Sequence, residues 1–510
     1  DHIVVDTAPF GHTLRLFELP GHFQRFLNFL EVASSRDDLL AQRFGGRTSS
    51  PAHGFLEKWQ ATVKKVKEAF SVDQAEVLLV TSPETFSLNE AVRCVDALRE
   101  SAAEMRLGGI VLNRVVVSAE SCARCRARTL QGKKAVQFLK QKFPRVPRLI
   151  GIDPGNPLLG AKQLQRFGDL VFAGERANLA APPRAAKRKL KFAKTKWPAA
   201  ETRLSFTLGK GGVGKTTVTA ALAFHSRSLN KDVHVTVCST DPAPSLDDVF
   251  QKKIGDQMVS VLGDPGLGAM EMDAIFEFRG WAARIKKQLS SGTSMESGGL
   301  HVDLTFEKEV FAALMDVVPP GVDEVFAIFR ILDLLEARRG SVFIDMAPTG
   351  HALELLRMPE RILLWSRLLL KSLAAHRTLA LAQDVAVELA GLGQRVRRLL
   401  EMMRDPKQSR AWAVMLPEPV PDRQTQRLLA AMKELGIAVD SLFVNRVLLG
   451  PSGCQRCQRA QKWQLATLQS LQKKYGDHRL YLVRDFPAEI AGAAKLKKFT
   501  GELWQIQTEK

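Results

Sequence analysis

Apolar positions in the second half of the chain fall into short, β-branched runs separated by longer stretches of helical period. Residues 202–208 read as a short strand, 215–230 as a helix, and 233–238 as a strand that ends at Ser239-Thr240-Asp241. Three more buried strands are expected at 341–345, 412–416 and 441–445. Strands that alternate with helices in this way predict an α/β fold with a mostly parallel sheet and ligand loops at its carboxyl edge. Between 246 and 340 the pattern turns helical and apolar. It runs through Phe306, Val310, Phe311, Leu314 and Met315, then Phe326, Phe329, Ile331, Leu332, Leu334 and Leu335, and a second helical stretch is expected at 351–405. No uninterrupted apolar run reaches the ~18 residues that span a bilayer. The nearest candidate, 362–375, is broken by Arg367 and Lys371.

The chain repeats itself. The stretch from Asp6 to Pro20 returns from Asp345 to Pro359 with eight of fifteen positions identical, including Asp-x-Ala-Pro-x-Gly-His. Val80-Thr81-Ser82-Pro83-Glu84 parallels Val414-Met415-Leu416-Pro417-Glu418, and Val111-Leu112-Asn113-Arg114-Val115 parallels Phe443-Val444-Asn445-Arg446-Val447. Cys122-x-x-Cys125 parallels Cys454-x-x-Cys457 at the offset of 332 residues that also separates the two asparagines. Agreement in order, spacing and chemistry indicates a tandem duplication. The copies are unequal: a phosphate loop begins 136 residues before Asp345, whereas only five residues precede Asp6. The expectation is therefore a partial first repeat over 1–173 without its phosphate loop and first switch, a linker over 174–202, and a complete second repeat over 203–510.

At 510 residues, two domains or more are expected. A composition of 45% hydrophobic and 25% charged residues is that of a soluble globular protein. The net charge of +19 is compatible with nucleic acid, an acidic surface or a polyanionic ligand. Part of it sits in the Ala/Pro-rich run that holds Arg184, Lys187, Arg188, Lys189, Lys191, Lys194 and Lys196, which reads more simply as a solvated linker. The chain starts at Asp1 rather than Met, so any targeting peptide would be invisible. Six cysteines, four of them in two C-x-x-C pairs, favour a reducing compartment and metal over disulfides.

The stretch Gly209-Lys210-Gly211-Gly212-Val213-Gly214-Lys215-Thr216-Thr217 fits the phosphate-loop pattern G-x-x-x-x-G-K-[ST] in its required place, after a strand and before a helix. Lys215 should contact β- and γ-phosphates and Thr216 should ligate Mg²⁺. Asp345 ends an apolar strand, where a second carboxylate reaches the Mg²⁺ shell; the plainer alternative is a capping Asp before Pro348 and Gly350. Asp241 closes the neighbouring strand and could orient or activate the attacking water, or simply form an Asp-Pro turn. Asn445 offers both a donor and an acceptor to an adenine edge, and its repetition as Asn113 strengthens that expectation. An ordinary phosphate loop does not require Lys210. A second cation among flexible glycines points to a lysine that reaches a nucleotide held across an interface.

These motifs together resemble the family of arsenite-pump ATPases and tail-anchored-protein targeting ATPases, over nearly the whole chain. The resemblance implies a pair of P-loop domains, here fused into a pseudo-dimer that could be a monomer, closing around two ATPs. It implies that Lys210 acts in trans, Asp241 is the hydrolytic residue, Asp345 begins the second switch, and Glu84, Asn113, Glu418 and Asn445 contact nucleotide. Two departures are visible: Pro244-Ser245 follows Ala243 where the family has His-Asn or His-Ser, and Phe10 replaces the usual Thr of the Asp-x-Ala-Pro motif. Hydrolysis is expected to be impaired in the chain as given, because no first-repeat loop supplies a trans lysine.

One C-x-x-C pair supplies two thiolates, and tetrahedral Zn²⁺ needs four. Cys122, Cys125, Cys454 and Cys457 could complete that set where the two halves meet, as the targeting branch implies between protomers; a redox pair or unligated thiols are the alternatives. Eight of the twelve methionines lie between Met270 and Met403, near Leu353, Leu356, Ile362, Leu363, Leu364, Trp365, Leu368, Leu369 and Leu370. By the resemblance these could line a groove for hydrophobic helices, faced by Leu14, Leu16, Phe17, Phe23, Phe26, Leu27, Phe29 and Leu30. The expected function is an ATPase that shields the transmembrane helix of a tail-anchored client and delivers it to a membrane-bound receptor, in the cytoplasm or, given an upstream address, a plastid. The rival is an arsenite-stimulated ATPase of an efflux pump, with Cys94 and Cys238 as its spare thiols. A chromosome-partitioning relative is a third reading, but no nucleic-acid partner is expected, since it leaves the paired C-x-x-C motifs unexplained.

Overall fold

A computed structural model describes residues 2–7, 17, 19–21, 23–28, 30–31, 52–71, 73–100, 105–117, 122–175, 179, 190–199, 201–241, 245–291, 321–337, 340–375, 380–451 and 453–507. The first-repeat positions 8–16, Phe29, residues 306–315 and Pro242 to Pro244 lie outside them. The chain forms two compact units, one of Asp1–Leu79, Ala91–Gly109 and Ala274–Phe326, the other of Val80–Glu90, Ile110–Asp273 and Ala327–Lys510.

The fold is α/β. Three strands, β1 (Glu76–Thr81), β2 (Arg106–Val115) and β3 (Arg148–Ile152), form a sheet in the order β1-β2-β3, with β2 and β3 parallel. The large unit is built on ten more: β4 (Phe192–Thr195), β5 (Leu204–Gly209), β6 (His234–Ser239), β7 (Val259–Val261), β8 (Asp264–Glu271), β9 (Gly340–Asp345), β10 (Ser409–Met415), β11 (Val439–Val447), β12 (Arg479–Arg484) and β13 (Leu503–Ile506). Their order is β4-β13-β12-β11-β10-β5-β9-β6-β8-β7. The pairings from β12 through β8 are parallel, and those at both edges are antiparallel. Every expected strand of the second repeat is present within a few residues. Each is a buried apolar run, as strands covered on both faces must be.

Large aromatic side chains fill the centre of the sheet. Phe206, Phe343, Trp412 and Phe443 are fully buried, and Phe443 stacks between Trp197 and Tyr481 at 5.2 Å from each. Burying each such ring is worth ~1.5–3 kcal/mol. Registers Thr207↔Asp345 and Ser239↔Asp345 then bring the carboxyl ends of β5, β6 and β9 level.

Two stretches differ from their sequence reading. Residues 246–340, read as helical, contain β7 and β8. Pro265, Gly266 and Gly268 erase any strand signal there, but pairing with β6 from Val235↔Leu267 to Ser239↔Glu271 imposes the strand. The basic stretch read as a linker over 174–202 ends in β4, which pairs with β13, and in Trp197, only 3% exposed. The groove expectation is also revised. Met270, Met346, Met358 and Met403 are buried in the core, and Leu27 packs with Leu56 and Val63 in the smaller unit. What does face outward is one side of the helix Thr349–Ala375, where Leu364, Trp365 and Leu368 are each about half exposed. Among the described residues no helix is long and apolar enough to cross a membrane.

Candidate nucleotide site and thiol centre

The phosphate loop grows directly out of β5. At Gly209 a Cβ would stand 2.3 Å from the carbonyl oxygen of Val414 on β10, so no side chain fits. Gly214 has a left-handed φ of 90°, and a Cβ there would lie 2.3 Å from Nδ2 of Asn445. The helix Lys215–Leu229 follows at once, with its free N–H groups and positive dipole end turned to the loop. Lys210 is exposed, and its carbonyl accepts a 3.2 Å bond from Nζ of the buried Lys215. Burial holds the Lys215 ammonium below its ordinary pKa, against the attraction of Asp345 and Asp241.

Asp345 lies at the end of β9, fully buried. Its Oδ2 accepts the Thr216 hydroxyl at 2.6 Å and its Oδ1 the Thr219 hydroxyl at 3.4 Å. Burial, with Asp241 adding repulsion, raises this carboxyl from 3.8 to about 6, although Lys215, Thr216 and Thr219 pull the other way. A hydroxyl and a carboxylate in contact form the hard-oxygen donor set that Mg²⁺ takes, so Thr216 and Asp345 fit that ion. The two strand ends are tied together: the Thr240 N–H donates to the Asp345 carbonyl at 2.9 Å, and the Ala347 N–H to the Thr240 hydroxyl at 3.1 Å. The Asp241 N–H donates to the Ser239 hydroxyl at 3.2 Å, which sets this half-buried acid beside the loop lysine. Sequence reading missed Glu271. Its carboxylate accepts the N–H groups of Ser245 and Leu246 at 2.7 and 2.9 Å, fixing the segment after Asp241 so that Ser245 meets Thr216 at 3.2 Å. The acid in the apolar run Ala269-Met270-Glu271-Met272 was the available signal.

Asn445 is at the site, with its amide already engaged. Nδ2 donates to the Val213 carbonyl of the loop, and Oδ1 accepts the Arg446 N–H, both at 2.8 Å. Asn113 repeats the second bond with Arg114, also at 2.8 Å. Glu84 and Glu418 are engaged by arginines: Glu84 by Arg446 at 2.7 and 2.9 Å, Glu418 by Arg114 at 3.7 Å.

The four cysteines of the two C-x-x-C pairs converge, with all sulfurs within 4.8 Å of one another. Individual separations are 3.4 Å (Cys125–Cys457), 3.5 Å (Cys125–Cys454) and 3.8 Å (Cys122–Cys457). A tetrahedron with ~2.3 Å Zn–S bonds has sulfur edges of about 3.8 Å, so the set fits Zn²⁺. Burial opposes ionisation of Cys122. Hydrogen bonds from the Cys125 N–H and from the thiols of Cys457, Cys454 and Cys125 outweigh it, bringing its pKa down to about 7. Each pair opens a helix, Ala123–Lys142 and Gln455–Lys474, which places two thiols on one turn. The remaining thiols, Cys94 and Cys238, are both buried.

A phosphate loop between a central parallel strand and a helix, with an acid at the end of the adjacent strand, defines a P-loop nucleotide-binding protein. Residues 1–171 and 202–505 match the model of the anion-transporting ATPase family, and the chain belongs to that family as a tandem member. It is similar over 99% of its length to an ATPase named ARSA1 of Chlamydomonas reinhardtii, at 27% identity and covering 67% of that protein. An arsenical pump-driving ATPase of Acidiphilium multivorum is 26% identical over 98% of this chain and 76% of its own. The ATPase GET3B of Arabidopsis thaliana is 30% identical over 58% of this chain and 77% of its own.

Proposed function

We propose that this protein is an ATP-hydrolysing targeting factor that binds the transmembrane helix of tail-anchored membrane proteins for post-translational insertion. The observation that carries the proposal is the four-thiol centre, assembled from matching positions of the two repeats at spacings suited to zinc. The exposed face of Leu364, Trp365 and Leu368 on the helix Thr349–Ala375 supports it as a contact for an apolar helix.

In this reading the loop amides from Gly209 to Thr217 and the Lys215 ammonium hold the phosphates. Thr216 and Asp345 would hold Mg²⁺, which would supply positive charge against the phosphate oxygens. Asp241 orients the water for in-line attack and accepts its proton, while Lys210 serves a facing site. Glu271 keeps the Asp241 segment in register with Thr216. Cys122, Cys125, Cys454 and Cys457 would hold Zn²⁺, which would tie the two repeats through one shared centre.

An arsenite-stimulated ATPase is the second reading. It is favoured by the arsenical pump-driving relative, which spans both repeats. Against it, burial pushes the Cys238 thiol well above its usual range, so that thiol is a poor ligand. One experiment separates the two. The targeting reading expects about one zinc per chain, lost on Cys454→Ser, and crosslinking to an apolar helix that is lost on Leu364→Ser/Trp365→Ser/Leu368→Ser. Arsenite-stimulated hydrolysis with client capture unchanged in that variant would replace the targeting reading with the pump.

A further inference from the structure

The offset of 332 residues pairs more than cysteines. It also relates Arg114 to Arg446, Arg124 to Arg456 and Asp153 to Asp485. Each of these arginines reaches a carboxylate of the other repeat. Arg124 lies 3.3 Å from Asp485, and Arg456 pairs with Asp153. Both aspartates hang from equivalent strand ends, with the Asp485 N–H on the Val447 carbonyl and the Asp153 N–H on the Val115 carbonyl, each at 2.9 Å. A reciprocal set of ion pairs therefore frames the thiol centre.

The Arg446 pair differs from its copy. Arg446 makes a two-pronged contact with Glu84, Nη1 to Oε1 at 2.7 Å and Nη2 to Oε2 at 2.9 Å, whereas Arg114 stands 3.7 Å from Glu418. Parallel bonds of this kind fix orientation as well as charge. Both arginines hold a left-handed backbone, φ 58° at Arg446 and 60° at Arg114, unusual for a residue with a side chain. In that conformation the Arg446 N–H meets Oδ1 of Asn445, whose Nδ2 holds the Val213 carbonyl of the phosphate loop. The contacts thus run without a break from Glu84 to Arg446, Asn445 and Val213. Partial burial of Glu84 favours its neutral form, but Arg446 first, then Arg128 and Arg114, keep its carboxyl below the usual value, so the pair is ionised at neutral pH.

We infer that Arg446 is a positioning residue for nucleotide binding, clamped by Glu84, so that the first repeat sets the affinity of the second repeat's phosphate loop. The inference rests on the nucleotide-site reading of that loop. Neither residue needs to touch nucleotide: releasing the guanidinium frees the left-handed turn, lets the Asn445 amide rotate, and loosens the loop at Val213.

The test is Mg²⁺–ATP affinity by calorimetry on the full chain, for wild type, Glu84→Gln, Arg446→Gln, the double variant and Arg446→Lys. Each Gln variant is expected to bind about tenfold more weakly, the strength of one charge-assisted pair. The double variant should be no worse than either single, and Arg446→Lys should fall between. Arg114→Gln, at the loose copy, should change affinity less than about twofold. Zinc content and the melting temperature without nucleotide should stay near wild type in Glu84→Gln, the isosteric change at a partly exposed site. That readout keeps the inference testable if Arg446→Gln fails to fold. Wild-type affinity in Glu84→Gln, or additive losses in the double variant, would overturn the inference. A wild type that binds no ATP would overturn the nucleotide-site reading itself.

Discussion

Replacing Asp345 with Asn separates what this acid does for binding from what it does to stability. The carboxyl has a pKa of 3.8 in an unfolded chain and about 6 in the folded protein. The gap of about 2 units, at 1.36 kcal/mol each, is ~3 kcal/mol acting against the fold once the group is ionised. That figure already includes the attraction of Lys215, so it is the net effect of removing the charge and leaving the lysine. The sign follows from the direction of the shift. A folded pKa above the unfolded one means stability that is full below 3.8 and lost as pH rises through about 6. Asn keeps an oxygen for the Thr216 hydroxyl but cannot ionise.

The Asn variant should therefore unfold at higher temperature than the wild type in the absence of nucleotide. The gain is ~3 kcal/mol near pH 7.5 and about half of that at pH 5. Over a cooperative unit of ~300 residues, 3 kcal/mol corresponds to roughly 5 °C. Thermal scans of both proteins at pH 4, 5 and 7.5, with and without Mg²⁺–ATP, measure both effects. The wild type should gain stability from Mg²⁺–ATP and the variant should gain little, because the proposed cation ligand is gone. A variant no more stable than wild type at pH 7.5, or one whose advantage does not grow with pH, refutes the electrostatic argument. Undiminished Mg²⁺-dependent protection in the variant refutes the ligand role.

Two further outcomes follow from packing. Gly214→Ala places a methyl 2.3 Å from Nδ2 of Asn445 on a left-handed backbone, so nucleotide binding should be lost along with ~1–3 kcal/mol of stability, read by calorimetry and urea unfolding. Trp412 is fully buried and its indole N–H has no hydrogen-bond partner among the described residues, so Trp412→Phe removes that penalty as it opens a small void and should stay within about 1 kcal/mol of wild type. Trp412→Ala should cost ~3–5 kcal/mol; equal losses in the two variants on urea unfolding would contradict the account of the N–H.

Legibility in the sequence followed the range of the interactions. Runs such as Val342-Phe343-Ile344-Asp345 declare a buried strand and its polar end because burial on both faces demands continuous apolarity. The phosphate loop was equally legible, since two of its glycines are dictated by close contacts with the Val414 carbonyl and the Asn445 side-chain amide. β8 was not, because Pro265, Gly266 and Gly268 carry no strand preference and only pairing with β6 makes them one. The methionines misled in the other direction: a flexible apolar side chain suits a groove or a core equally well, and Met270, Met346 and Met358 are in the core. Glu271 was missed because its role lies in two backbone N–H groups 25 and 26 residues earlier in sequence.

The repeat offset could have supplied the rest. A register that superposes Cys122 on Cys454 also superposes Arg124 on Arg456 and Asp153 on Asp485, and an approximate two-fold axis turns such matches into reciprocal contacts. If residue a of one copy meets residue b of the other, the reverse contact must form as well. The two observed aspartate pairs obey this rule, as do the four thiols. The glutamate pairs obey it in identity but not in tightness, 2.7 Å against 3.7 Å, and departures from pseudo-symmetry are where duplicated halves acquire separate tasks. The tight member is the one whose arginine adjoins the asparagine that holds a phosphate loop. The tight clasp is the means we infer for the first repeat to govern nucleotide binding at the second repeat's loop.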